Sequence, residues 1–136
     1  MLLVVDANVI FSAMIKGSTT AELILSDKIQ LITPEFILPE IKTHTREIIN
    51  KTHRRFTEFE KFALILEERI EVIPSSEIES FLKTAAELLP DNLKDVQYLA
   101  TALRYKCEIW SNDAGLKQQI KVKIFTTSEL IRECGF

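Results

Sequence analysis

Glycine is scarce in this sequence, and its three copies, Gly17, Gly115 and Gly135, stand far apart. They form neither a GxGxxG fingerprint nor a Walker A loop, which leaves dinucleotide and P-loop chemistry without support. Cysteine is nearly as rare: Cys107 and Cys134 have no CxxC spacing and no neighbouring histidine, so free thiols in a reducing cytosol are expected rather than a disulfide or a zinc site. Long hydrophobic runs are missing. The apolar stretches are short and broken by charge, and Met1 leads into a strand-like run without a basic leader, so the expectation is a cytoplasmic protein with no membrane span. An excess of positive charge is lacking too. With 17 basic and 20 acidic residues the net charge is −3, which argues against a protein that holds nucleic acid by a general positive field.

What is present fits one globular domain. A chain of 136 residues, 46% hydrophobic and 27% charged, is long enough to bury a substantial core. Runs rich in Val and Ile near 2–5, 29–33, 70–73, 108–111 and 123–126 read as strands. Between them, helical periodicity appears near 8–15, 20–27, 35–51, 55–69, 76–89, 93–106, 113–119 and 127–134. Such alternation predicts a parallel sheet covered by helices on both faces. Two helices between the second and third strands predict a protruding arm around 43–69, with Phe56, Phe59, Phe62, Ala63 and Leu66 on one face. Pro34, Pro39, Pro74 and Pro90 fall near element boundaries, except Pro39, which implies either a kink or a late helix start near Leu38.

Charge is locally patterned. Lys42, Arg46, Lys51, Arg54 and Arg55, with His44 and His53, face one acid, Glu47, and can form a phosphate track or simply a solvated helix face. The two histidines, nine residues apart with no third ligand, read as surface or phosphate-contacting groups.

Four acids stand at turns. Asp6 ends the first strand, Glu40 follows the second, Asp95 opens a strongly helical stretch, and Asp113 closes the fourth strand. Each alone is explained by helix capping, Asp95 in a capping box with Asn92 and Asp113 over the helix containing Leu116. Together they suit another role. If the chain builds outward from the first strand to the second and third, then returns to lay the fourth beside the first, Asp6 and Asp113 flank the switch point where open α/β sheets bind ligands. Glu40 and Asp95 then start helices at the same edge. Carboxylates crowded in a low dielectric repel unless protons or cations neutralise them, and all-oxygen ligands favour Mg²⁺ or Mn²⁺.

The chain resembles the PIN domain family, metal-dependent nucleases that include the VapC-like toxins of toxin–antitoxin pairs. The resemblance is carried over nearly the full length by Asp-Ala-Asn-Val-Ile from Asp6, Pro-Glu-Ile around Glu40, Asp-Val-Gln-Tyr-Leu-Ala-Thr-Ala-Leu from Asp95, and Ser-Asn-Asp-Ala-Gly-Leu around Asp113. It implies a Rossmann-like α/β/α fold with a five-stranded parallel sheet of order 3-2-1-4-5. It also implies an Mg²⁺ or Mn²⁺ site and single-stranded RNA as substrate. The family's acids map onto Asp6, Glu40, Asp95 and Asp113, and its small polar positions onto Asn8 and Ser111. Asp91, one helical turn before Asp95, is either a fifth, outer acid or an N-cap. Asn112 and Ala7 depart from the usual pattern without removing a carboxylate.

The expected function is therefore metal-assisted endonucleolytic hydrolysis of RNA, with Lys42, Arg46, Lys51, Arg54 and Arg55 holding flanking phosphates. A toxin role implies an antitoxin protein, and a homodimer is expected because related domains often pair. The alternative is a PIN-like module that binds RNA or a protein with little turnover. Phosphoryl transfer on another scaffold fits worse, because a dehalogenase-like phosphatase wants an acid where Asn8 stands, and a receiver domain wants one after the third strand, where Pro74, Ser75 and Ser76 follow Ile73.

Overall fold

The computed structural model of the chain describes residues 1–14, 19–41, 47, 61, 64, 65 and 68–135. The basic residues Lys42, Arg46, Lys51, Arg54 and Arg55, both histidines, and nearly all of the expected arm lie outside them.

The first strand, β1 (Leu2–Val5), occupies the centre of a five-stranded parallel sheet. Its continuous apolar run suits a strand covered on both faces. β2 (Gln30–Pro34) and β3 (Ile70–Ile73) lie on one side, β4 (Glu108–Trp110) and β5 (Ile124–Phe125) on the other, giving the order 3-2-1-4-5. The order and the parallel direction are those expected from the sequence. Leu3 pairs with Leu31 and Val4 with Ile32 on one side, while Val5 pairs with Trp110 on the other. By this register the residues just past β1 and β4, Asp6 and Ser111, are brought side by side. The Asp6 amide extends the ladder to the Trp110 carbonyl at 3.3 Å, and the Ser111 amide reaches the Phe125 carbonyl at 3.0 Å.

Helices α1 (Ala7–Ala13) and α2 (Thr19–Ile24) follow β1, and a helical segment at 37–41 follows β2. The late start expected near Leu38 is realised, since the helix begins at Ile37 and Pro39 falls in its first turn, where a missing N–H costs nothing. After β3 come α3 (Ser75–Ile78), a 3₁₀ turn Glu79–Phe81 and α4 (Leu82–Leu88), so the single helix expected over 76–89 is interrupted. A 3₁₀ turn at Leu93–Asp95 leads into α5 (Val96–Tyr105), whose Val96, Leu99, Ala100 and Ala102 are buried in the core. The helix expected at 113–119 is a 3₁₀ turn, Ala114–Gln118. It is closed by Gln119, whose side-chain amide donates to the Leu116 and Val122 carbonyls at 3.0 and 2.8 Å. The last helix, α6 (Thr127–Cys134), has the expected bounds and opens with a capping box between Thr126 and Glu129.

The core runs along both faces of β1 and β4. Leu3, Val4, Val5, Leu99, Ile109, Trp110, Leu116 and Leu130 are wholly buried. Trp110 is also tied at its edge, Nε1 donating to Thr127 Oγ1 at 3.0 Å. Both cysteines are free thiols, as expected. Among the described residues no helix is long and apolar enough to cross a membrane.

Candidate active site

At the carboxyl ends of β1 and β4 a cleft of about 80 Å³ opens, lined by Asp6, Ala7, Asn8, Phe36, Glu40, Lys94, Asp95, Tyr98 and Asp113. All four acids singled out from the sequence face it.

Asp6 is buried, 4% exposed, and caps α1. Its Oδ1 accepts from the Val9 amide at 2.9 Å, and its Oδ2 accepts a short hydrogen bond from Ser111 Oγ. Burial raises its pKa above the ordinary carboxylate value, with the Ser111 and Val9 bonds opposing that rise and the charge of Asp113 adding to it. Ser111 is wholly buried and does two things, since its Oγ also accepts from the Asp113 amide at 3.0 Å. One hydroxyl thus couples the Asp6 carboxylate to the backbone carrying Asp113.

Asp113 caps the 3₁₀ turn beyond it, its Oδ1 accepting from the Gly115 amide at 2.8 Å. That bond, then the hydrogen bond with Asp95 and the nearby Lys94, holds its pKa below the ordinary value. Asp95, 4% exposed, moves the other way: burial first, then the hydrogen bond with Asp113, push it up to about 6. The two neighbouring carboxyls are thus pushed apart, Asp95 upward and Asp113 downward.

The capping box expected between Asn92 and Asp95 does not form. The Asn92 side chain makes no capping bond and instead donates Nδ2 to Asp95 Oδ2 at 2.6 Å. The tight turn lets the amide reach the carboxylate directly. Room for it depends on Gly115, because a Cβ at that position would overlap the Asn92 amide. Glu40 reaches the cleft from the helical segment 37–41 and is exposed, as is Asn8 in the first turn of α1. Asp91 is exposed in the turn before Asn92 and does not line the cleft; the cap position there belongs to Asn92.

Three cleft residues are additions to those expected from the sequence. Buried Tyr98 accepts the Ala7 amide on its hydroxyl at 3.0 Å, satisfying a donor left over at the start of α1. Burial and the surrounding Asp6, Glu40 and Asp95 raise its pKa and keep the phenol neutral. Phe36 packs edge-on against it, ring centroids 5.1 Å apart. Lys94 Nζ lies 3.6 Å from Asp113 Oδ2. Tyr98 stands three residues beyond Asp95, on the same helical face, and that spacing is the signal that marks it.

Among the described residues no three His, Cys, Asp or Glu side chains form a ready metal-binding group. Asp6, Asp95 and Asp113 are engaged by protein donors: Ser111 and the Val9 amide, Asn92, and the Gly115 amide. The donor set is nonetheless all oxygen, four carboxyls around one cleft, which is the chemistry a hard divalent cation fits.

Residues 4–132 match the sequence model of the PIN domain family. The chain belongs to that family. It is a PIN domain with four acids lining a cleft at the switch point of its sheet. A search of curated protein sequences finds no significant match. Among solved structures, this PIN domain is similar in fold to a chain from VapBC2 of Rickettsia felis, a complex bound to a DNA fragment from their promoter. The TM-score is 0.69 at 13% identity, covering 93% of this chain and 98% of the other.

Proposed function

We propose that this single PIN domain is a cytoplasmic, Mg²⁺- or Mn²⁺-dependent endoribonuclease that hydrolyses phosphodiester bonds of single-stranded RNA, acting as the toxin of a toxin–antitoxin pair. One observation carries the reading: Asp6, Glu40, Asp95 and Asp113, from four separate stretches of the chain, line one cleft. A purely structural set of helix caps has no reason to converge. The fold likeness to a VapBC2 chain supports an antitoxin partner for this chain as well.

In this reading Asp6, Asp95 and Asp113 hold one or two ions, and Glu40 completes the set or accepts the proton of the attacking water. A bound divalent ion supplies Lewis-acid stabilisation of charge on the phosphate and the leaving oxygen. Ser111 keeps Asp6 and Asp113 at a fixed separation, and Asn92 aims Asp95. Asn8 positions substrate at the rim. Lys42, Arg46, Lys51, Arg54 and Arg55 hold flanking phosphates.

The test is cleavage of a labelled single-stranded RNA with Mn²⁺ and with EDTA. Metal-dependent cleavage by the wild type and roughly a hundredfold loss or more in Asp6→Asn are expected. Undiminished cleavage by the variant would refute the reading, and tight RNA binding in EDTA without cleavage in any divalent metal would favour a binding module.

A further inference from the structure

Among the described residues lining the acidic cleft, Lys94 is the one basic side chain. It sits directly before Asp95 in the 3₁₀ turn Leu93–Asp95, and its ammonium lies 3.6 Å from Asp113 Oδ2. The side chain is 76% exposed, whereas that of Asp113 is 24% exposed. An ion pair so open to water, on a flexible four-carbon stem, is weakly held and readily exchanged. It neutralises Asp113 without being locked there.

A nucleic acid strand entering a cleft lined by four acids meets repulsion from each of them. Cations held by these carboxylates would remove part of that repulsion and would compete with Lys94 for Asp113. An ammonium released from Asp113 remains tethered at the cleft, where it can pair with the other carboxylates or with the substrate. We propose that Lys94 is a phosphate-positioning residue, its ammonium passing from Asp113 to a non-bridging oxygen of the RNA strand at the cleft. This rests on the nuclease reading and adds to it a contact distinct from the basic stretch Lys42 to Arg55. Lys94 breaks no bond and moves no proton. Its contribution is a compact point charge that holds the strand against the acids, and an arginine retains that charge.

The experiment compares wild type, Lys94→Met and Lys94→Arg in cleavage of single-stranded RNA with Mn²⁺ over a series of KCl concentrations, and in Mn²⁺ binding without RNA. For Lys94→Met the expected result is a KM raised roughly threefold to tenfold with kcat within about twofold. The slope of log(kcat/KM) against log[KCl] is expected to become shallower by about 0.7, the contribution of one phosphate contact on a single strand. Lys94→Arg should restore both, and Mn²⁺ affinity should not weaken in either variant. An unchanged KM and salt slope, or a defect confined to Mn²⁺ affinity or folding, would overturn the proposal and leave Lys94 as a counter-ion of Asp113. Should the wild type bind RNA but not cleave it, the nuclease reading fails while the contact is still read from the salt dependence of binding. A wild type that neither binds nor cleaves RNA overturns both.

Discussion

Ser111 carries the heaviest local burden in the cleft. Its hydroxyl donates to Asp6 and accepts from the Asp113 amide, so removing it takes one donor from the Asp6 carboxylate and the acceptor from the Asp113 backbone at once. Ser111→Ala is expected to lower metal-dependent cleavage by about tenfold to a hundredfold, with a stability loss of about 1 kcal/mol. Kinetics together with thermal unfolding check both halves. Gly115 sets a second dependence, because a methyl group there displaces the Asn92 amide that holds Asp95. Gly115→Ala should therefore impair cleavage more than stability, and Asn92→Ala should reproduce most of the defect. Equal activity in Gly115→Ala and wild type would show that Asn92 does not orient Asp95. The residues themselves are partly legible in the sequence. Capping and site chemistry call for the same acids at the same turns, and here Asp6 and Asp113 do both, capping while facing the cleft. The Asn92 contact is not legible, because it depends on the curvature of one 3₁₀ turn. Lys94 is hidden by lying outside the conspicuous basic stretch.

At the scale of elements, the strands are easiest to read, since a short run of consecutive apolar residues between turn signals leaves few alternatives. Helix type is harder: sequence periodicity does not distinguish an α-helix from the 3₁₀ turns at 79–81, 93–95 and 114–118. Two elements make testable demands. α5 is capped by Lys106 in the left-handed region, φ 52°, a conformation that suits glycine and strains other residues. Lys106→Gly is expected to stabilise the protein by about 0.5–1 kcal/mol, measured by chemical denaturation. The cap of α6 is pH-sensitive. Glu129 is held down to about 2, first by Lys117, at 2.9 Å, and then by the Thr126 amide and hydroxyl. Because its folded pKa lies below its unfolded one, its stabilisation is complete above the ordinary glutamate range and disappears as pH falls towards about 2. Glu129→Gln should thus flatten that limb of the stability profile, and an unchanged acid limb would show that the capping box is not a source of acid sensitivity.

For the molecule as a whole, alternation of strands and helices makes the parallel sheet legible, whereas the strand order 3-2-1-4-5 follows only from the family resemblance; in that order Asp6 and Asp113 mark the two sides of the switch point. The arm expected between β2 and β3 lies largely outside the described residues. Assembly is not legible from the apolar face of α1, which belongs to the core: Val9, Ile10 and Ala13 are buried. A homodimer is still expected by analogy with other PIN domains, and light scattering should then give twice the 15.6 kDa of the chain. Everything functional turns on whether the acidic cleft takes up a divalent ion. The most direct measurement is calorimetric titration of Mn²⁺ into the wild type and Asp6→Asn, with folding of both verified by circular dichroism. Saturable binding by the wild type and its loss in Asp6→Asn are predicted; equal binding by both folded proteins, or none by either, would rule out a metal site built on Asp6.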